Sequence, residues 1–196
     1  MRFLLGLTGS IGMGKSTTAG FFAEQGCAVW DADAAVHRLY SEGGAAVAPM
    51  QAEFPGAIED GAISRDRLRE IIAEDPTALP RIEAIVHPLV QKDRADFIAA
   101  HPDRIVVLDV PLLFETGGDT AMDAVACVSI PPDLQRERVM ARGSMSAEDL
   151  ERILARQMPN DEKSARADYV IETDTLEHAK AQVQAVMQDI ERRRHA

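Results

Sequence analysis

The chain alternates short apolar runs with longer stretches of mixed polarity. Residues 3–7 read as a buried strand, and 16–25 as a helix that Gly26 stops. A second strand at 28–30 runs into Asp31-Ala32-Asp33, with a helix from Ala34 to about Tyr40 and Asp33 as its N-cap. From 42 to 103 no strong strand pattern occurs. Gly43-Gly44 breaks the chain, Pro55-Gly56 and Asp60-Gly61 signal turns, and helices are predicted over 45–54, 65–74, 77–86 and, after Pro88, 89–100. Strands return at 104–109, 123–130 and 169–171. Helices are predicted over 133–142, from Ser146 to about Met158, and over 176–194; Ser146-Ala147-Glu148-Asp149 has the form of a capping box.

Strands alternating with helices predict an α/β fold with a parallel sheet. The helical excursion is far longer than a crossover needs and reads as an inserted lobe. The expected layout is one domain, with a core of 1–41, 104–135 and 168–196, a helical acceptor-binding lobe at 42–103, and a lid at about 136–167.

The sharpest local signal lies between the first strand and the first helix. Gly9-Ser10-Ile11-Gly12-Met13-Gly14-Lys15-Ser16 fits the phosphate-loop pattern of Gly, four residues, then Gly-Lys-Ser, in the strand–loop–helix context that the motif requires. Glycines let the backbone curl with its N–H groups inward. Those groups and the helix N-terminus attract phosphate oxygens. Lys15 adds a full charge for the β and γ phosphates, and Ser16 a hydroxyl for Mg²⁺. Gly12 to Thr17 are the expected nucleotide-binding residues. A second landmark is Asp109, a carboxylate ending the apolar run 105–108, where phosphate-loop proteins keep an acid near the metal. Asp31 and Asp33 end another strand, at the edge where parallel sheets bind ligands. The fold expected is therefore a P-loop NTPase-type parallel sheet flanked by helices, with a helical substrate-binding insertion and a short helical lid. Arg136, Arg138, Arg142, Arg152 and Arg156 lie on the lid hairpin. Most read as solvated charges paired with Glu137, Glu148 and Glu151, and Arg142, at the turn, is the one expected to close over phosphates.

Composition narrows the partners. With 196 residues, 46% of them hydrophobic, the chain can bury a substantial core. Its net charge of −11 disfavours a nucleic-acid partner, while a glycine loop and a few arginines still make a local anion site. No apolar run approaches the length of a membrane span, the first apolar run feeds directly into the loop, and Cys27 and Cys127 sit in apolar strands without metal-ligand spacing. A soluble, cytoplasmic protein is expected, of undetermined oligomeric state. A small-molecule kinase fits this outline. A kinase of another nucleoside or nucleotide and a nucleotide-gated switch also use such a loop, although acids at two strand ends, Asp33 and Asp109, favour catalysis.

Nearly the whole chain resembles the dephospho-CoA kinase family. The resemblance rests on the loop at 7–17, Asp31-Ala32-Asp33, Gly61-Ala62-Ile63-Ser64-Arg65, His87-Pro88-Leu89, Asp109-Val110-Pro111-Leu112-Leu113-Phe114-Glu115, Ala155-Arg156-Gln157-Met158-Pro159 and Ala167-Asp168-Tyr169-Val170-Ile171. Two positions depart: Ser64 stands where the family usually has Asp, and Thr173 where it commonly has Asn. The resemblance implies ATP and Mg²⁺ as cofactors and dephospho-CoA as the acceptor. It implies Asp33 as the group that takes the acceptor hydroxyl's proton, and Arg65 and His87 as acceptor-binding residues. With them, Lys15 and Arg142 complete the expected catalytic set, and Ser16 and Asp109 the metal ligands.

Overall fold

The computed structural model describes residues 1–143 and 145–195. The chain opens with β1 (Phe3–Thr8), α1 (Lys15–Glu24), β2 (Ala28–Asp31) and α2 (Ala32–Tyr40). It continues through α3 (Val47–Glu53), the two-residue strands β3 (Ile58–Glu59) and β4 (Ala62–Ile63), α4 (Arg65–Glu74) and α5 (Ala78–Ala99). It closes with β5 (Ile105–Asp109), β6 (Ala124–Ser129), α6 (Pro132–Ala141), α7 (Ala147–Leu154), α8 (Asn160–Arg166), β7 (Tyr169–Glu172) and α9 (Leu176–His195). Two compact units result: Met1–Trp30 with His101–Ala196, and Asp31–Ala100.

The first unit is built on a five-stranded sheet of order β2-β5-β1-β6-β7. β1 pairs in parallel with β5 and β6, and β6 with β7. The central strands are buried along almost their whole length and mostly apolar, as expected of a parallel sheet with both faces covered. Leu5, Leu7, Val107, Ala126 and Ile171 are buried in this core, with Phe22 from α1 and Val183 and Ile190 from α9. In the β1–β5 register Leu7 stands opposite Asp109. The end of β5 therefore lies beside the start of the loop, at the carboxyl edge of the sheet where α/β proteins bind ligands.

The second unit has a core of its own, formed by Leu39, Met50, Phe54, Ile63, Leu68, Ile82 and Val86. Within it α2 is tied to α5 by Arg38, whose Nη2 donates to Asp93 Oδ1 at 2.7 Å. Among the described residues no helix is long and apolar enough to cross a membrane.

Four local expectations change. The cap of α2 is Asp31, whose Oδ1 accepts from Ala34 N at 2.8 Å, so Asp33 falls inside the first turn. The chain leaves β2 at Asp31 with extended φ and ψ, the conformation an N-cap needs, and the helix begins at once. Asp60-Gly61 is a turn as expected, but it joins β3 to β4 in a hairpin too short to show a strand pattern. The helix expected to reach Met158 stops at Leu154, and a further short helix, α8, begins after Pro159. His87-Pro88 does not end a helix, because α5 runs unbroken through Pro88.

A proline inside a helix removes the bond to the carbonyl four residues back, here Ala84, and crowds it. This turn tolerates the loss: Ala84, His87 and Pro88 are all exposed, while Ile82 and Val86 on the opposite side anchor the helix in the core. Pro88→Ala should therefore raise stability by about 1–3 kcal/mol, because it restores that bond and removes the mid-helix penalty. Urea unfolding followed by circular dichroism measures this. A lower midpoint would mean that the helix needs its proline.

Candidate functional site

The loop between β1 and α1 carries the site. Gly14 is the N-cap of α1 in the left-handed region, with φ of 84°, and Gly12 has φ of 77°. Space excludes a side chain as firmly as conformation does. A Cβ on Gly12 would lie 2.5 Å from Val139 Cγ2, and one on Gly14 would lie 3.0 Å from Thr173 Oγ1. The loop is thus packed between α6 and the segment that follows β7.

Its outward polar groups are held from several elements. Met13 N donates to Ser10 O at 3.2 Å, and Thr18 N and Oγ1 both donate to Gly14 O. Gln135 of α6, buried, donates from Nε2 to Ile11 O at 2.6 Å. Thr173, also buried, donates from Oγ1 to Met13 O at 2.6 Å. Ser10 N donates to Asn160 Oδ1 at 3.2 Å. Met13 itself is 3% exposed, and its sulfur accepts from Ile130 N. Its side chain anchors the loop to the core.

Lys15 and Asp109 meet directly: the Lys15 ammonium donates to Asp109 Oδ1. Asp109 is buried, and Lys15 is 16% exposed. Ser16 and Thr17, next on α1, are exposed. Beside the loop lies a cleft of about 410 Å³. Gly12, Gly14 and Thr17 line it from the loop, Arg138 and Arg142 from the end of α6, and Leu176 and Ala179 from α9. Arg142 is the C-cap of α6 and is exposed, and Arg138 donates to Asp174 O at 3.0 Å. Of the other lid arginines, Arg136 pairs with Glu151, and Arg152 with Glu148 and Asp149.

The remaining expected residues lie in the second unit. Asp33 is exposed in the first turn of α2. Arg65 opens α4 with its guanidinium carbon 5.5 Å from the centre of the Tyr40 ring, and burial raises the Tyr40 phenol above its usual range while that guanidinium opposes the rise. Ser64 caps α4 by accepting from Arg67 N, a task that Asp performs equally well. His87 is exposed on α5. Among the described residues, none of Asp33, Arg65 and His87 hydrogen-bonds to another. The structure thus brings Lys15 to Asp109, and Arg142 to the glycines and Thr17.

Sequence patterns do not single out Gln135, Asn160 or Lys163, and mark Thr173 only as a departure from the family. Each acts on backbone or on a partner far along the chain. Lys163 is fully buried, with Nζ 2.8 Å from Glu115 Oε1 and 3.1 Å from Pro111 O. Burial pushes the Glu115 carboxyl up, but hydrogen bonds from Lys163 and from backbone outweigh it and leave the carboxyl below its usual range. The signal available in the sequence was Asn160 and Lys163 three apart on one helix, which share a face.

With the site's geometry established, comparison with known proteins is decisive. The model of the family described as dephospho-CoA kinase matches residues 3–178. The chain belongs to the dephospho-CoA kinase family. Membership sets its activity as phosphorylation of dephospho-CoA, the last step of coenzyme A synthesis. A dephospho-CoA kinase of Ruegeria pomeroyi is 67% identical over 190 residues, covering 97% of this chain and 96% of that protein. Among solved structures, a Thermus thermophilus protein is 31% identical with a TM-score of 0.83, covering 96% of this chain and 97% of that one. Dephospho-CoA kinase from Campylobacter jejuni is 25% identical with a TM-score of 0.72, covering 97% and 98%. The fold is that of the P-loop kinases.

Two predictions follow from the packing of the loop. Gly12→Ala places a methyl group against Val139 on a left-handed backbone, and should destabilise by about 2–4 kcal/mol from strain and overpacking together. In a double-mutant cycle with Val139→Ala, relief of the clash should appear as a coupling of about 1–3 kcal/mol; strictly additive effects would mean that the helix does not touch the loop. Lys15→Ala removes an ammonium from a buried carboxylate, so a loss of about 1.5–3 kcal/mol is expected, the value of a hydrogen bond to a charged group. Asp109→Asn in the same chain should recover most of that loss in chemical denaturation. A Lys15→Ala chain of parental stability would contradict the pairing.

Proposed function

We propose that the chain transfers the terminal phosphoryl group of ATP to the ribose 3′-hydroxyl of dephospho-CoA, releasing coenzyme A and ADP, with Mg²⁺ as the metal cofactor. The observation that carries this reading is the family match over 3–178, which takes in the loop, the acid at the end of β5 and the helical unit.

The loop and the cleft are assigned to the nucleotide. Gly12, Gly14 and Thr17 line the phosphate end, and Lys15 neutralises the β and γ phosphates. Met13 serves by holding the loop in shape. The apolar wall of Leu176 and Ala179 suits the base. Thr173 spends its hydroxyl on Met13 O, so the position where the family commonly has Asn here supports the loop rather than the base. Arg138 and Arg142 supply positive charge at the cleft mouth, and Arg142, exposed at the end of α6, is the one assigned to the phosphates during transfer.

Ser16 and Asp109 are the oxygen donors assigned to Mg²⁺. They fit a hard cation by their chemistry, a hydroxyl and a carboxylate, and Ser16 directly follows Lys15, whose ammonium touches Asp109. The ion would supply neutralisation of phosphate charge.

Arg65 and His87, which lie in the second unit, are assigned to binding the acceptor, and residues 42–103 to the acceptor-binding lobe. Asp33 is assigned to orient the acceptor hydroxyl and take its proton. Asp31 spends its carboxylate on the cap of α2, which leaves Asp33 as the acid of the pair for that task. Positioning and charge neutralisation then carry most of the rate, and closure of the lid excludes water from competing for the phosphoryl group. The reading also includes a cytoplasmic setting, supported by two buried thiols, and small-molecule rather than nucleic-acid partners, supported by the net charge of −11.

The test is ADP release measured with dephospho-CoA and, separately, with nucleoside monophosphates. Turnover that requires dephospho-CoA supports the reading. Turnover with a monophosphate instead would reassign the acceptor, and ATP binding without turnover on any acceptor would indicate a nucleotide-gated switch. For Asp33→Asn, kcat should fall by ~10²–10⁴, the range for loss of a general base, and toward the low end because the transition state is loose. ATP affinity, measured by calorimetry, should hardly change. A kcat within about threefold of the parent would end the proton-acceptor role.

A further inference from the structure

The segment Asn160-Asp161-Glu162-Lys163-Ser164-Ala165-Arg166 has almost no apolar residue, and its pattern is that of a surface helix. The structure turns one face of it inward. Lys163 is 0% exposed, and Asn160, one turn earlier on the same face, is half-buried. Burying an ammonium is costly, and for stability alone an apolar side chain of the same volume does as well or better. What Lys163 and Asn160 hold therefore needs its own account.

Their partners are the ends of three neighbouring strands. Lys163 Nζ lies on Glu115 Oε1 and donates to Pro111 O, which also accepts from Thr8 Oγ1 at 3.1 Å. Thr8 is the last residue of β1, directly before the loop, and Pro111 lies two residues beyond Asp109. Glu115 Oε1 accepts in addition from Met158 N at 2.9 Å, just ahead of α8. Asn160 accepts from Ser10 N in the loop and donates from Nδ2 to Ser129 Oγ at 3.1 Å and Val128 O at 3.4 Å, at the end of β6. Leu113 and Phe114, between these anchor points, pack with Met158 and Ala167 on either side of α8.

We propose that Asn160 and Lys163 are positioning residues: α8 is a crossbar that holds the phosphate loop at Ser10 and the exit of β5 at Pro111 and Glu115, so that Lys15 and Asp109 keep one mutual geometry. Its consequence for turnover rests on the kinase reading above, whereas the crossbar itself is a property of the chain alone. Neither residue touches a reacting group. They act through the loop and through the strand that carries Asp109.

The test uses Asn160→Ala and the charge-free pair Lys163→Met with Glu115→Gln in the full chain. Exchange of the Ser10 amide, followed by NMR without nucleotide, is the first readout. Asn160→Ala removes the partner of that amide and should speed its exchange. The paired variant touches nothing at Ser10, yet it should speed the same amide, because both anchors belong to one rigid helix. The second readout is kcat with ATP and dephospho-CoA saturating. It should fall ~10–10²-fold, since a displacement of about 1 Å costs up to ~10²-fold. The KM for dephospho-CoA should stay within about twofold, as the acceptor residues lie in the other unit.

If the paired variant does not fold, Asn160→Ala alone carries both readouts. Unchanged Ser10 exchange in the paired variant would overturn the crossbar. So would a parental kcat in both variants, or a kcat loss that disappears on cooling in step with regained stability. If the parent itself shows no turnover with dephospho-CoA, the assigned reaction fails, and the amide exchange still decides for or against the crossbar.

Discussion

A phosphate loop that turns its N–H groups inward must turn other polar groups outward, into protein. Those groups need partners, because a buried donor or acceptor left unpaired costs about 1–3 kcal/mol. Here the need is met from four directions. Gln135 of α6 takes Ile11 O, Thr173 after β7 takes Met13 O, Asn160 of α8 takes Ser10 N, and Thr18 of α1 takes Gly14 O. The glycines permit the curl, and these side chains fix which curl it is. The first unit is arranged accordingly: the ends of α6 and β7 and the start of α8 all converge on one short segment of backbone. The shape of the nucleotide cleft follows, since the α6 residues that line it, Arg138 and Arg142, sit on the helix that Gln135 and Val139 press against the loop.

This arrangement explains which parts of the molecule were legible in the sequence. The loop, β1, β5 with its terminal Asp109 and the capping box of α7 are local patterns, set by residues near one another in the chain, and the structure contains each of them. The family motifs were legible for the same reason. The clamps on the loop were not. Thr173 lies 160 residues from Met13 and Asn160 lies 150 from Ser10, and no periodicity links them. Lys163 was hidden more thoroughly, because a lysine in a polar heptapeptide reads as solvated. Its burial depends on Glu115, a residue on a different element. Within the Asp31-Ala32-Asp33 signature the cap belongs to Asp31 rather than Asp33, because the helix starts two residues earlier than the pattern suggests. The break expected at Pro88 gave way to packing. Ile82 and Val86 anchor the preceding turns, and one lost hydrogen bond on an exposed face is too small a penalty to stop a helix held in a core.

The two sets of assigned residues differ in a way that matters for interpreting substitutions. Lys15, Asp109, Asn160 and Lys163 are part of the packing and hydrogen bonding of the first unit, so a change at any of them alters stability and site geometry together. Asp33, Arg65 and His87 are exposed on a unit with its own core. Their removal leaves that core intact, and surface substitutions of this kind usually move stability by less than about 0.5 kcal/mol. A loss of activity at those three positions therefore reads directly as a loss of binding or chemistry. At the loop the same loss has to be corrected for unfolding and for displacement of a neighbour, which requires paired variants. Charge placement follows the same logic. Near the loop the acid and the base are set against each other at the sheet edge, where burial strengthens their attraction. On the helical unit Asp33, Arg65 and His87 face water, where such groups are worth little to the fold.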